Sequence, residues 1–409
     1  MLEHWIWLAT RKGVNEHTAL MLLDAFADID SLYYAAEDDY KLVEGLQKKE
    51  LESLRDKSLT EASKILNVCR NKGIHILTYR DAAYPSRLKH IANPPLVLYN
   101  KGCLPSFDAE AAVAVVGTRK ASAYGCMTSK SMGYQIAKCG GLVISGLAGG
   151  IDSMAMRGAL MAGGTVVGVL GCGVDVVYPS SNRELYKDVE QRGCLLSEFP
   201  PGSEPLGWHF PKRNRVMSGL SCGVLVVEAP VKSGALITAQ HALDQGRDVF
   251  AVPGNIDTPN SQGTNHLLRS GAIVAQYGWD VMQEYEAMFP GKVRRWAGAI
   301  DLDTSPQELR RTIRELQVSE PVFVPSVKEQ KKSVDKPIKT PYIEDNNKSE
   351  LSPDEQAVMK LLDQELKHVD LIIGDSGLSA AQVLASLTLL EVKGLVVRHP
   401  GKYYSLPLQ

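Results

Sequence analysis

The residues best placed for chemistry lie in short loops that follow apolar runs. They are Gly117-Thr118-Arg119-Lys120, Ser145-Gly146-Leu147-Ala148-Gly149-Gly150, Gly171-Cys172-Gly173, Glu198-Phe199-Pro200-Pro201-Gly202, Val231-Lys232-Ser233-Gly234 and Pro253-Gly254-Asn255. Small residues let backbone N–H groups approach an anion closely, and a loop entering a helix turns that helix's free N–H groups toward negative charge. Cations accompany them. Lys212, Arg213 and Arg215 crowd into FPKRNRVMSGLS (210–221), just after Trp208 and His209. Arg119, between a glycine turn and a helix start, suits bidentate phosphate binding. Stacking on Trp208 or Phe210 would hold a base of single-stranded nucleic acid at ~1–3 kcal/mol each, although both rings equally suit a core. Taken singly, each loop reads as turn chemistry, Asp152 as a helix cap, Ser233 as an ordinary N-cap and the cation run as a solvated face. The convergence of five or six such loops on one edge is what favours a site.

That edge follows from the elements. Runs at 112–117, 142–146, 165–171, 194–198, 223–229, 248–254 and 272–275 are β-rich and apolar throughout, and helix-length segments separate them. This predicts a doubly wound parallel α/β sheet, whose ligands bind beyond the carboxyl ends of the strands where strand order switches. Residues 1–80 show helical periodicity without a convincing strand. The stretch 296–350, rich in Lys, Glu, Ser, Pro and Asn, predicts a flexible linker. In 351–409, helices from Asp354 to about Leu366 and from Ser379 to about Glu391 precede a hairpin around Pro400-Gly401, the order of a winged helix.

Several chemistries are disfavoured. Gly171-Cys172-Gly173-Val174-Asp175-Val176 lacks the third glycine of a dinucleotide fingerprint and follows the third strand rather than the first. No G-x-x-x-x-G-K-[ST] occurs for an ATPase. The seven cysteines and nine histidines are scattered without metal-ligand spacing, so neither a metal nor a disulfide frame is expected. The 409 residues carry a net charge of -2, which argues against a uniformly basic nucleic-acid binder. Residues 110–295 hold 17 Lys and Arg against 15 Asp and Glu, so any affinity for an anion must come from a few converging cations. With no bilayer-length apolar run and no signal-like N-terminus, a cytoplasmic protein is expected.

The ordered blocks VGTRKAS (116–122), SGLAGGID (145–152), FPKRNRVMSGLS (210–221), VVEAPVKSGALITA (226–239) and GRDVFAVPG (246–254) closely resemble the DNA-processing protein A family, also called Smf. The resemblance implies an extended Rossmann fold at 81–295. It also implies a sterile-alpha-motif or helix-hairpin-helix module at 1–80, with Lys12-Gly13-Val14 as the hairpin, and a winged helix at 351–409. It further implies a homodimer that protects single-stranded DNA during natural transformation and loads the RecA recombinase, without a cofactor or catalysis. Carried onto matching positions, Thr118 and Arg119 would clasp a phosphate with Ser145 and Gly146. Lys212, Arg213, Asn214 and Arg215 would line the same pocket, and Lys232, Ser233 and Gly234 would close it. Leu267, Leu268 and Ile273 are read as a dimer contact. Two positions depart from the pattern: Met156, where the family commonly has His, and Gly149, where a larger residue is common. The competing readings are a phosphoribohydrolase-like enzyme, for which Pro253-Gly254-Asn255-Ile256-Asp257 lacks the required Glu, and a winged-helix regulator, whose presumed recognition helix at 379–391 holds no Lys or Arg.

Overall fold

The computed structural model describes residues 1–298, 352–363, 367–393, 395–399 and 403–406. The segment read as a linker lies outside them, apart from 296–298.

Six helices open the chain: α1 (Leu2–Ala9), α2 (Glu16–Ala25), α3 (Ile29–Tyr34), α4 (Glu37–Lys41), α5 (Lys48–Arg55) and α6 (Thr60–Lys72). Gly13, at φ +87°, makes the turn between the first two. Asn15 then caps α2, its Oδ1 accepting from Thr18 N at 2.9 Å. Trp7 is fully buried at the centre of this module. The Lys57 ammonium lies against Trp7, Tyr33 and Tyr40, 5.0, 5.3 and 4.6 Å from the three ring centroids.

A nine-stranded sheet follows, made of β1 (His75–Thr78), β2 (Val97–Gly102), β3 (Ala112–Val116), β4 (Leu142–Ser145), β5 (Val166–Val169), β6 (Gly193–Ser197), β7 (Gly223–Val226), β8 (Asp248–Ala251) and β9 (Ile273–Val274). The spatial order is β1-β2-β6-β5-β4-β3-β7-β8-β9. The strands from β6 across to β9 are parallel, and they are the seven runs expected from sequence. β2 joins β6 antiparallel, and β1 joins β2 in the same sense. β1 falls inside the stretch read as helical. Its four residues have no partner nearby in the chain, and pairing with Val97–Asn100 is what makes them a strand.

The central strands are apolar throughout because both faces are covered. Helices α7 (Ser86–Lys89), α8 (Ala123–Lys138), α9 (Ile151–Met161) and α10 (Arg183–Arg192) come between strands of this sheet in the chain. On β3, Val113 and Val115 enter one core, shared with α8 and α9. Ala112, Ala114 and Val116 enter the other, shared with α11 (His209–Leu220) and α12 (Gly234–Asp244). The first of these cores continues into the helical module through Trp5, Ile65 and Tyr99. Strand order reverses between β3 and β7, so the loops leaving their carboxyl ends lead to helices on opposite faces at the middle of the sheet.

The C-terminal unit holds helices at Pro353–Met359, Val369–Ser376 and Ala380–Val392, and a three-stranded sheet. Ser352 and Ser379 cap the first and third helices with Glu355 and Gln382 completing capping boxes. The first helix stops at Met359, short of the expected Leu366. The helix at Val369–Ser376 was not expected, because eight residues rich in β-branched side chains carry little helical signal of their own. Lys393, just beyond the third helix, is paired with Glu355 at 2.9 Å.

Candidate nucleic-acid interface

At the reversal between β3 and β7 a cavity of about 290 Å³ opens beyond the strand ends. Arg119, from the turn after β3, and Lys232, from the loop before α12, are exposed and line it. Neither has a carboxylate partner among the described residues. The Arg119 guanidinium lies over the Phe210 ring, with Cζ 4.9 Å from the centroid, so an aromatic surface holds the cation where a carboxylate would have neutralised it. Ser233 caps α12, its Oγ accepting from Ala235 N at 3.3 Å, and Gly234 begins the helix at the cavity wall.

Two loops are pressed together to build this mouth. Gly150 has φ +72°, and a Cβ there would lie 2.4 Å from the Thr118 carbonyl, so only glycine allows the contact. Thr118 donates its N–H to Glu228 O at 2.8 Å, and its hydroxyl accepts from Lys120 N at 3.2 Å. Asn182 fixes the opposite loop by donating to Leu147 O at 2.9 Å and Ala148 O at 3.2 Å. Glu228, at the end of β7, accepts from Ser122 N at 3.0 Å and Ser122 Oγ at 2.5 Å, so it anchors the start of α8.

Arg213 forms the buried floor. Its guanidinium donates to Val169 O at 2.5 Å and, through Nε, to Asn214 Oδ1 at 3.1 Å. A Cβ on Gly146 would lie 2.0 Å from that guanidinium, so the glycine leaves the space the cation fills. Asp152 sits nearby, accepting from Gly146 N at 3.1 Å. Burial pushes the Asp152 carboxyl up against the pull of Arg213, and burial likewise lowers the Arg213 guanidinium. Asn214 donates to Gly234 O at 3.2 Å and ties α11 to α12.

Thr118, Arg119, Arg213, Asn214, Lys232, Ser233 and Gly234 therefore line one cavity, with Gly146 beneath it. Ser145 does not join them. It is fully buried and donates its hydroxyl to Val115 O at 2.7 Å, inside the sheet. Lys212 and Arg215 also lie outside the lining. A step of two residues on a helix turns about 200°, so Arg215 faces away from Arg213, and a step of three returns Lys212 to the side of Arg215. There Arg215 meets Glu198 at 2.6 Å and Lys212 meets Glu198 at 2.9 Å. Glu16, the first residue of α2, pairs with Lys212 and stands 3.8 Å from Arg215. Burial acts to raise the Glu16 carboxyl, but the hydrogen bond and charge of Lys212 hold it below its ordinary value. The sequence offered no sign of this pairing, because its two halves lie almost 200 positions apart.

Other candidates fall elsewhere. Trp208 is 63% exposed and edge-on to Phe199, outside the cavity, whereas Phe210 lines it. The loop at 253–257 that would have to carry an enzymatic Glu does not contribute to the lining, whose only carboxylate is Asp152. Gly219-Leu220-Ser221-Cys222-Gly223 spells the G-x-S-x-G of a hydrolase nucleophile. Here it runs from helix to strand, the reverse of a nucleophile elbow, and buried Ser221 donates to Met217 O at 2.8 Å. Leu267 packs against the core, Leu268 is half-buried and Ile273 is exposed on the edge strand. Met156 is fully buried in the core under α9, while the space beside Gly149 is open. Among the described residues no group of His, Cys, Asp and Glu could hold a metal ion, and no helix is long and apolar enough to cross a membrane.

Comparison with known proteins bears on this arrangement. Residues 75–286 match the family described as DNA recombination-mediator protein A, and residues 344–402 match the DprA winged helix domain. The chain belongs to the DNA recombination-mediator protein A family. Protein Smf of Synechocystis is 31% identical over 407 residues, covering 98% of each chain. The DNA processing protein DprA of Bacillus subtilis is 40% identical over 221 residues, 54% of this chain and 74% of that one. The X-ray structure of DprA from Streptococcus pneumoniae aligns with a TM-score of 0.62 at 33% identity, over 69% of this chain and 98% of that one. The family match begins at the first residue of β1, so the antiparallel edge strands belong to the DprA domain and the six helices precede it.

Proposed function

We propose that the cavity between β3 and β7 grips the phosphate backbone of an unpaired DNA strand, and that the protein binds that strand without cleaving it. The observation that carries this reading is the pair Arg119 and Lys232. They are exposed cations without carboxylate partners among the described residues, on two different loops lining one cavity at the switch point, with the N-terminus of α12 following Lys232 and Arg213 in the lining. The hydroxyls of Ser122 and Ser145 and the carboxylates of Asp152 and Glu228 are committed to the backbone or to one another, which suits holding rather than chemistry. Membership of the family supports a role in DNA processing, and the same reading extends to natural transformation, delivery of the strand to RecA and a place in the cytoplasm. Self-association fits the free edge of β9, where Ile273 and Val274 are 37% and 51% exposed. Two copies on one strand would gain by avidity. Gel-shift titrations of single-stranded against duplex DNA over a range of salt test the proposal. Preferential, salt-dependent binding of the single strand supports it, and equal affinity for the duplex rejects it.

A further inference from the structure

A second hollow, of about 720 Å³, is bounded by α8, by Val252 and Pro253 after β8, and by Gln276 and Tyr277 after β9. Helix α8 contributes Tyr124, Met127, Thr128, Ser131 and Gln135, whose spacing of three and four places them along one stripe. That stripe starts five positions beyond Arg119, at the end of α8 nearest the phosphate grip.

The lining differs in kind from that of the first cavity. It contains no charged side chain. Tyr124 and Met127 are 50% and 67% exposed, three positions apart on one face of α8. The Tyr124 hydroxyl donates to Pro253 O at 3.4 Å, which steadies the ring at the mouth of the hollow. The Gln135 amide is committed, donating to Ser131 Oγ at 2.9 Å and accepting from Gly278 N at 2.9 Å. The Thr128 hydroxyl and the side-chain amide of Gln276 have no protein partner among the described residues, and so offer neutral donors and acceptors. An aromatic ring, a thioether and neutral hydrogen-bonding groups suit a flat heteroaromatic ring and repel no part of it, whereas a phosphate would find no cation there.

We propose that this hollow receives bases of the same strand whose phosphates occupy the Arg119 site, with Tyr124 as the stacking platform. The inference rests on the phosphate reading, and the experiment separates the two. Fluorescence anisotropy would compare oligothymidylate with an abasic strand of equal length. Tyr124→Ala is expected to weaken oligothymidylate binding by about five-fold or more, the lower end of what one stacked base contributes, to leave the abasic strand unaffected, and to be rescued by Tyr124→Phe. Arg119→Ala should weaken both ligands. If Arg119→Ala weakens both while Tyr124→Ala changes neither, or changes both equally, the base site is rejected and the phosphate grip stands. If Arg119→Ala weakens neither, the grip itself is rejected. Two further measurements use the full chain. A 4-thiothymidine strand should crosslink within 123–135, and adducts solely elsewhere overturn the proposal. A fall in sedimenting mass for Tyr124→Ala would mark the hollow as a contact between copies, and so overturn it too.

Discussion

Arg213 and Arg215 stand two residues apart on α11 and serve opposite sides of it. One guanidinium donates to Val169 O beneath the β3/β7 cavity, and the other is held by Glu198 on the face toward α2. The cation run that reads as one patch in the sequence is therefore split between the lining of the cavity and an internal charge cluster. Arg119 and Lys232, which carry no such partner among the described residues, are left as the exposed cations at the mouth.

The first expectation follows from that division. Arg119→Ala should lower single-strand affinity ten-fold or more, about 1.4 kcal/mol per decade, and reduce the slope of log affinity against log salt by ~0.7. Its melting temperature should stay at the wild-type value, since the side chain is exposed. Arg215→Ala should do the reverse, lowering the melting temperature by leaving the buried Glu198 with Lys212 alone of its two cations while leaving the salt slope unchanged. Paired titrations and calorimetry on the two variants check this, and a shallower slope for Arg215→Ala would contradict it.

Ser145 offers a cleaner contrast. Its hydroxyl is committed to Val115 O inside the sheet, so Ser145→Ala should destabilise the fold by about 1 kcal/mol and leave the dependence of DNA binding on salt as it was. Denaturant unfolding and a salt titration measure the two quantities separately. A loss of affinity without a loss of stability would return Ser145 to the site.

A gain of function is also expected. A Cβ at Gly149 would meet nothing nearer than Arg119 O, at 3.8 Å, so a side chain fits there. Gly149→Lys adds a cation to the loop facing Arg119 and should raise single-strand affinity at low salt, steepening the salt slope by ~0.7. No change in slope would show that the loop lies off the path of the strand.

Acid should loosen the helical module through Glu16. Its carboxyl is held below the ordinary 4.5 by Lys212, against the opposing effect of burial. A depressed folded-state pKa contributes stability that is complete above about pH 4.5 and is lost as pH falls through the lower folded value. Glu16→Gln should therefore be less stable than wild type near neutrality and should converge with it below that range. Thermal melts of both proteins from pH 7 to 3 give the comparison, and a constant offset across the range would exclude the linkage.

Much of this was legible in the sequence because the signals were local. Seven apolar runs and the glycine loops between them were enough to place Arg119, Lys232, Ser233 and Gly234 on one edge, since the parallel topology brings all such loops together. Orientation on a helix and burial were harder to read. Nothing local separates Arg215 from Arg213 until Glu198 and Glu16 are in place, and Ser145 looks like a loop hydroxyl until β3 supplies its acceptor. β1 was hidden for the same reason, its pairing being with residues about twenty positions away.

The four charges Glu16, Glu198, Lys212 and Arg215 have a consequence for chimeras. Exchanging the first 72 residues for an unrelated module would leave an ammonium and a guanidinium short of one counter-charge, on the reverse of the helix that carries the pocket floor. A graft that keeps the stability of α11 has to move α2 and α11 together, or supply an acid where Glu16 stands.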